Sequence, residues 1–348
     1  MKKRVRVISN GFGEDAIAVS LLTHIDQKEY QIIACPLVGD GGAYKRFGVT
    51  PIIDQSDLPS GGFLRRPMDV INDISSGVIG NVIRQRQVLA QRPAELQIVV
   101  GDVFALIMAT WKNTIPTMFL PTAKSERAIP HLAVEFMAIK RCAKMVFPRD
   151  IETHEAMIKR GIQSTFFGNP MFDGIQSDLG PCEPNIVGIL PGSRSEAIGN
   201  MTRILQVIAQ MDTTRSYQYV VALSPNITFA QLQQAVEDTA WRVEIDGDGY
   251  VFHYSRRPMS IQVSHQFMDV LHQSSVVIGL AGTANEQAMF AGRPLISFIG
   301  TGPQSTKKRF VEQHRLIDGA TAYLINSKDM NEISKQTSAI LNEYNGKW

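Results

Sequence analysis

The chain has 348 residues, enough for two domains of ordinary size, and its 44% apolar and 20% charged fractions are those of a soluble globular protein. A net charge of only +2 excludes nucleic-acid binding by bulk electrostatics. Cys35, Cys142 and Cys182 lie far apart with no metal spacing, and an odd, sparse count suits a reducing cytoplasm.

The basic start, Met1-Lys2-Lys3-Arg4, is followed by an apolar run that Arg6 interrupts and Asn10 ends. That is too short for a signal peptide and reads as a strand over 5–9. No run approaches transmembrane length. A cytoplasmic protein is expected, with any membrane contact made peripherally from the inner face. After the first strand, Asn10-Gly11-Phe12-Gly13-Glu14-Asp15 forms a glycine-containing turn, and an amphipathic helix covers 16–25. Strands follow at 30–36 and 52–53. Helical apolar spacing runs over 68–90, then a strand over 96–100 ends in Gly101-Asp102. A helix covers 104–110 and a strand 117–120, before the polar loop Pro121-Thr122-Ala123-Lys124-Ser125-Glu126. A strand at 145–147, a helix capped by Asp150 and a strand at 165–167 close the half.

Gly168-Asn169-Pro170-Met171-Phe172-Asp173-Gly174 opens a glycine-, proline- and acid-rich stretch to Pro184, the best domain boundary in the chain. The rhythm then restarts with a strand over 186–190, the loop Pro191-Gly192-Ser193-Arg194-Ser195-Glu196 and a helix to about 209. Next come a strand (219–223), a helix (229–239), short strands (243–245, 250–253) and the apolar strand 276–279. Leu280-Ala281-Gly282-Thr283-Ala284 leads into a helix over 285–290. A strand at 295–298, the loop Gly300-Thr301-Gly302-Pro303-Gln304-Ser305-Thr306, a basic helix (307–316), a strand (322–325) and a final helix complete the chain.

Strands alternating with helices predict an α/β protein with parallel, doubly wound sheets, whose ligands collect beyond the carboxyl ends of the strands. The domains assigned are an N-terminal Rossmann-like domain (1–168), a linker (169–184), a C-terminal Rossmann-like domain (185–326) and a last helix (327–348) packing back on the N-terminal domain. Two such halves meeting at a hinge imply a cleft between them.

Two strand–loop–helix elements carry anion chemistry: free N–H groups and a helix dipole favour phosphate. In 276–286, Glu286 sits just inside the helix, where its carboxylate would accept from ribose hydroxyls. Capping competes, because Thr283 and Glu286 have Thr-x-x-Glu spacing. In the other, Gly192 turns the chain and Arg194 sets a permanent cation beside free amides, as a diphosphate needs. Ser193 and Glu196 repeat the capping spacing, but capping does not explain Arg194. Walker and full dinucleotide fingerprints are missing, which disfavours ATPase and NAD readings.

Pro191-Gly192-Ser193-Arg194, Gly168-Asn169-Pro170-Met171 and Gly282-Thr283-Ala284-Asn285-Glu286 stand in the order and spacing of lipid-A-disaccharide synthase. From Ser9-Asn10-Gly11 to the last helix, the chain most resembles the lipid-A-disaccharide synthase-related proteins. The resemblance implies a GT-B fold with two Rossmann-like domains facing each other across a cleft. It implies an inverting glycosyltransferase that needs no metal or other cofactor. A UDP-sugar would bind the C-terminal half, with a lipid or lipid-linked acceptor on the other. Ser193 and Arg194 would meet the diphosphate; Gly282, Thr283 and Ala284 would cradle it, with Asn285 in the same segment; Glu286 would hold the ribose. Gln304 and Ser305 would touch the sugar. Uracil over another base rests on the resemblance alone. Two departures lie in the acceptor half. The first loop is not glycine-, alanine- and serine-rich, and the segment between Thr122 and Met145 is short.

Inverting transfer needs a base for the acceptor proton and cations for the leaving diphosphate. Asp102, directly after a strand, is the first choice for the base; a helix cap is its plain alternative. Glu14 and Asp15, at a helix start that favours acids anyway, are further candidates. Asn10, Gly11 and Thr122 belong to the acceptor loops. Lys124 and Ser125 would hold an acceptor phosphate or carboxylate, or only line a solvated loop. Lys307-Lys308-Arg309 reads as a solvated face, His265 as structural, and Asp246-Gly247-Asp248 as a turn. The stretch 61–68, with Arg84, Arg86 and Arg92, mixes basic and apolar residues as an anionic lipid surface requires. Two alternatives stay open: an enzyme similar to UDP-N-acetylglucosamine 2-epimerase, and a non-catalytic nucleotide-sugar-binding protein.

Overall fold

The computed structural model describes residues 2–52, 78–173, 175, 179, 182–194, 196–212, 216–302, 305–317 and 319–343. Expectations at Ile53, 61–68, the first part of the 68–90 helix, Ser195 and Gln304 fall outside them. The chain divides into two compact units, Met1–Asp173 and Gly174–Trp348. The division lies inside the stretch expected to link the domains.

The first unit runs β1 (Lys3–Ser9), α1 (Phe12–Leu22), β2 (Tyr30–Pro36), α2 (Gly42–Arg46), α3 (Val78–Ala90), β3 (Leu96–Gly101), α4 (Val103–Thr110), β4 (Thr117–Pro121), α5 (Ala133–Cys142), β5 (Met145–Val146) and α6 (Ile151–Lys159). Its strands are all parallel, in the order β2-β1-β3-β4-β5. Alternate strand residues enter two cores. Ile8, Val99 and Phe119 pack on one side of the sheet, and Val7, Val100 and Leu120 on the other. Cover on both faces is what a parallel sheet requires. Residues 165–167 make no strand; Thr165 N only donates to Val146 O at 3.0 Å. The segment 133–142, unassigned in the sequence, is α5, which buries Phe136 and Ile139.

Arg6, the residue that breaks the first apolar run, is 1% exposed. Its Nε and Nη2 donate to Gln97 Oε1 on β3 at 3.2 and 2.5 Å. Nη1 donates to Leu89 O at the end of α3 (2.7 Å) and to Arg92 O just beyond (3.3 Å). A buried cation thus meets the negative end of a helix and ties it to the sheet. The boundary motif also has a packing role. Asn169 accepts from Met171 N at 3.1 Å, and Met171 is buried in the first unit's core.

The second unit runs β6 (Glu183–Leu190), α7 (Ala197–Gln210), β7 (Gln218–Ala222), α8 (Phe229–Val236), β8 (Trp241–Asp246), β9 (Gly249–Tyr254), β10 (Ser260–Ser264), α9 (Phe267–Gln273), β11 (Ser274–Gly279), α10 (Thr283–Phe290), β12 (Leu295–Phe298), α11 (Lys307–Leu316), β13 (Ala322–Ile325) and α12 (Met330–Glu343). The order is β13-β12-β11-β6-β7-β10-β9-β8. The first six strands are parallel; β9 pairs antiparallel with both neighbours. This edge departs from the expected parallel sheet. Asp246 pairs with Gly249 around Gly247 at φ 57°, a tight hairpin turn that leaves no room for a crossover helix.

α12 contributes to the core of the second unit. Ile333 and Leu341 are fully buried in its core. Ser334 Oγ donates to Val207 O at 3.2 Å, and Tyr217 Oη donates to Leu341 O at 2.5 Å.

Arg6→Met leaves the α3 carbonyls and Gln97 without their buried partner. Urea unfolding is expected to show the first unit about 2–3 kcal/mol less stable; unchanged stability would remove Arg6 from this role.

Candidate functional site

In each sheet the chain reverses its winding beside its first strand. β1 lies between β2 and β3, and β6 between β7 and β11. The loops leaving β1 and β3, and those leaving β6 and β11, therefore stand side by side at switch points, where open α/β sheets bind ligands.

In the second unit, Gly192 adopts φ 107°, a conformation suited to glycine. A Cβ there would stand 3.8 Å from the Ala281 Cα, so the two loops run against each other. Neither predicted capping box forms. Glu196 occupies the N-cap of α7 without a side-chain cap bond, and Ser193 is exposed. Gly282, not Thr283, is the N-cap of α10, again without one. Gly282, Thr283 and Ala284 are half-buried, as is Arg194. The first turn of α10 leaves the Thr283 and Ala284 amides without intrahelical partners.

Other predicted residues are committed to the protein. Glu286 is 0% exposed, and its Oε1 accepts from Arg309 Nη2 at 2.7 Å. Arg309 is therefore not part of a solvated face, although Lys307 and Lys308 are exposed. Asn285 is buried and donates through Nδ2 to Gly279 O at 3.2 Å, while its Oδ1 is buried without a hydrogen-bond partner. Ser305 is buried; its Oγ donates to Leu280 O at 2.8 Å. His265 Nδ1 lies 3.1 Å from Leu223 O, a structural contact.

Two residues that the sequence analysis did not single out organise this edge. Asn200, fully buried on α7, donates through Nδ2 to Pro191 O (3.0 Å) and Ser305 Oγ (3.1 Å) and lies 3.5 Å from Leu280 O. Its Oδ1 accepts from Thr301 N at 2.8 Å. Gly199 and Gly300 permit this crowding: a Cβ on Gly300 would fall 2.5 Å from Asn200 Oδ1. Gln313, buried on α11, donates to Ala281 O (3.2 Å) and Gly282 O (2.8 Å). The sequence signal for Asn200 was a polar residue in the apolar stripe of a helix, beside Ala197, Met201 and Ile204.

The corresponding edge of the first unit is acidic. Gly11, at φ 142°, precedes α1, and Glu14 and Asp15 fall in its first turn, where the dipole favours them. Asp15 is 1% exposed. Ser9 Oγ donates to its Oδ1 at 2.5 Å and contacts Tyr44 Oη at 2.7 Å, while Oδ2 is buried without a hydrogen-bond partner. Burial pushes the Asp15 carboxyl up to about 7, with Glu14 and Asp40 adding to the rise and the Ser9 bond opposing it. Asn10 is buried in the same loop.

Asp102 caps α4, its Oδ1 accepting from Ala105 N at 2.9 Å. It keeps partial solvent contact as a residue. Crowding of protein around the carboxyl nevertheless pushes it up to about 7, and Glu14 and Glu135 add to this. Helix capping and a carboxyl poised near neutrality thus coexist in one side chain. Thr122 Oγ1 donates to Glu14 Oε1 at 3.2 Å, and Thr122 O accepts from the buried Arg149. Lys124 pairs with Glu135 at 2.6 Å. Ser125 is buried in a turn, where its Oγ accepts from Arg127 N at 3.1 Å. Among the described residues no group of His, Cys, Asp or Glu side chains converges to hold a metal ion.

These features define an α/β protein of two Rossmann-like units, with polar loops at the switch point of each sheet. Its structural neighbours include GT-B glycosyltransferases and UDP-GlcNAc 2-epimerases. The calicheamicin glycosyltransferase CalG4 is 12% identical, with a TM-score of 0.57 over 99% of this chain and 92% of its own. S. aureus MnaA, solved with UDP, is 14% identical, with a TM-score of 0.58 over 100% and 91%. Methanocaldococcus jannaschii UDP-GlcNAc 2-epimerase, in complex with UDP-GlcNAc and UDP, is 12% identical, with a TM-score of 0.54 over 99% and 94%. At such identities the likeness establishes the fold. No family model matches the sequence, and no curated protein does.

Asp15 makes a stability prediction. The native carboxyl holds its proton up to about pH 7, whereas the unfolded chain releases it near pH 4. Between those values the native state binds more protons, so stability falls as pH rises through the window. Asp15→Asn removes that loss. Urea unfolding is expected to show the variant equal to wild type near pH 4 and more stable, by a few kcal/mol, at pH 8. A variant less stable at pH 8 would overturn the assignment.

Proposed function

We propose that the chain is an inverting, metal-independent glycosyltransferase that moves a hexosamine or hexose from a UDP-sugar to a lipid or lipid-linked acceptor, in the manner of lipid-A-disaccharide synthase. The observation that carries this reading is the approach of Gly192 to Ala281. It joins the Pro191–Arg194 loop and the α10 N-terminus into one anion-binding edge on adjacent strands, with a permanent cation, Arg194, in the loop. The diphosphate is assigned to that edge, and Glu286, held by Arg309, to the ribose.

The acceptor is assigned to the first unit, with Asp102 as the base. A carboxylate near 7 is half ionised at neutral pH and still basic enough to take a hydroxyl proton as it attacks the anomeric carbon. Glu14 holds Thr122 beside it. The exposed face of α5, where Leu132, Val134 and Met137 precede Lys140 and Arg141, suits an anionic lipid surface. Among the described residues no helix is long and apolar enough to cross a membrane.

The likeness to UDP-GlcNAc 2-epimerases is as strong as that to transferases, so epimerisation is the second reading. Incubation with UDP-sugar alone separates the two. A transferase leaves the sugar's configuration unchanged and releases UDP only slowly, whereas an epimerase turns it over without an acceptor.

Asp102→Asn keeps a competent helix cap. It is expected to lower transfer at least ~100-fold with UDP affinity unchanged. The assay is UDP release in the presence of acceptor lipid; wild-type rates in this variant would remove Asp102 from the mechanism.

A further inference from the structure

Four carbonyls of the nucleotide edge accept hydrogen bonds from the interior. Pro191 O accepts from Asn200, Leu280 O from Ser305, and Ala281 O and Gly282 O from Gln313. In a planar trans peptide the C=O of one residue and the N–H of the next point in opposite directions. Holding these oxygens inward turns the amides of Gly192, Ala281, Gly282 and Thr283 the other way. Two residues beyond Thr283, Asn285 N donates to Gly282 O at 3.2 Å and ends the array. Apolar residues of the same size would leave these backbone groups unpaired, so the two side-chain amides hold the loops in this one arrangement.

We propose that Asn200 and Gln313 are positioning residues for the diphosphate of a nucleotide sugar: they touch no ligand and fix the direction of the amides that do. This rests on the nucleotide-site reading of the second unit. Asn200 goes further, because its Oδ1 also holds Thr301 N. One side chain thereby holds both Pro191 and Thr301, with Ser305 relaying the hold to Leu280.

The test is the affinity of the full chain for uridine and for UDP, by calorimetry, in wild type, Asn200→Asp and Gln313→Met. The diphosphate contribution is the ratio of the two dissociation constants. Both variants are expected to bind uridine within about twofold of wild type and to lose about tenfold of that ratio, the worth of one misdirected amide contact. An unchanged ratio overturns the proposal, as does an equal loss for both ligands, which is what a merely structural role gives. Hydrogen exchange in the wild-type chain needs no variant. UDP is expected to slow exchange at amides 281–283 and uridine is not; equal effects overturn the proposal. A wild-type chain that binds uridine and UDP equally, or neither, overturns the nucleotide-site reading itself, a result distinct from an unchanged ratio in the variants.

Discussion

The hydrogen bonds of Asn200 are the constraint on which the loops at the carboxyl end of the second sheet depend. Loops at the end of a parallel sheet are glycine-rich because ligands must reach the backbone, and that leaves them without side chains to hold their shape. Here the shape comes from below. A buried amide on α7 ties two such loops together and reaches the third through Ser305, and a second amide on α11 holds the loop after β11. The glycines at 199 and 300 are the counterpart of that arrangement, since a methyl group at either would strike the bonded groups. Rigid loops matter because a disordered anion site loses affinity to ordering entropy when the ligand arrives.

The first unit solves a different problem with buried polar groups. Arg6 is neutralised by helix-end carbonyls and Gln97, so its burial stabilises the sheet against α3. Asp15 is buried without such compensation: one oxygen has Ser9, the other has no hydrogen-bond partner. An acid held in that state costs stability at neutral pH. Asp15 and Glu14 lie in the first turn of α1, at the carboxyl end of the sheet.

Much of this was legible in the sequence. Strand–helix alternation follows from local patterns that the backbone enforces. Misreadings came where tertiary contacts decide. The helix α5 carries only two core positions, Phe136 and Ile139, too few for a visible period. At the β8–β9–β10 edge the turn at 246–248 was read, but β10 and the antiparallel pairing depend on contacts beyond it. At the site, Glu286 was visible as a helix-start acid, but its ion pair with Arg309 lies twenty-three residues away in sequence. Thr-x-x-Glu and Ser-x-x-Glu spacing invited capping boxes that the glycine turns displaced.

The acids of the first unit differ in what they can reach. Asp15 is buried, with Ser9 on one oxygen and Tyr44 in turn on Ser9. Asp102 keeps partial solvent contact and is oriented by its own helix cap. Glu14 adds to the rise of both carboxyls. The Thr122 hydroxyl donates to Glu14, and this bond ties the loop after β4 to α1.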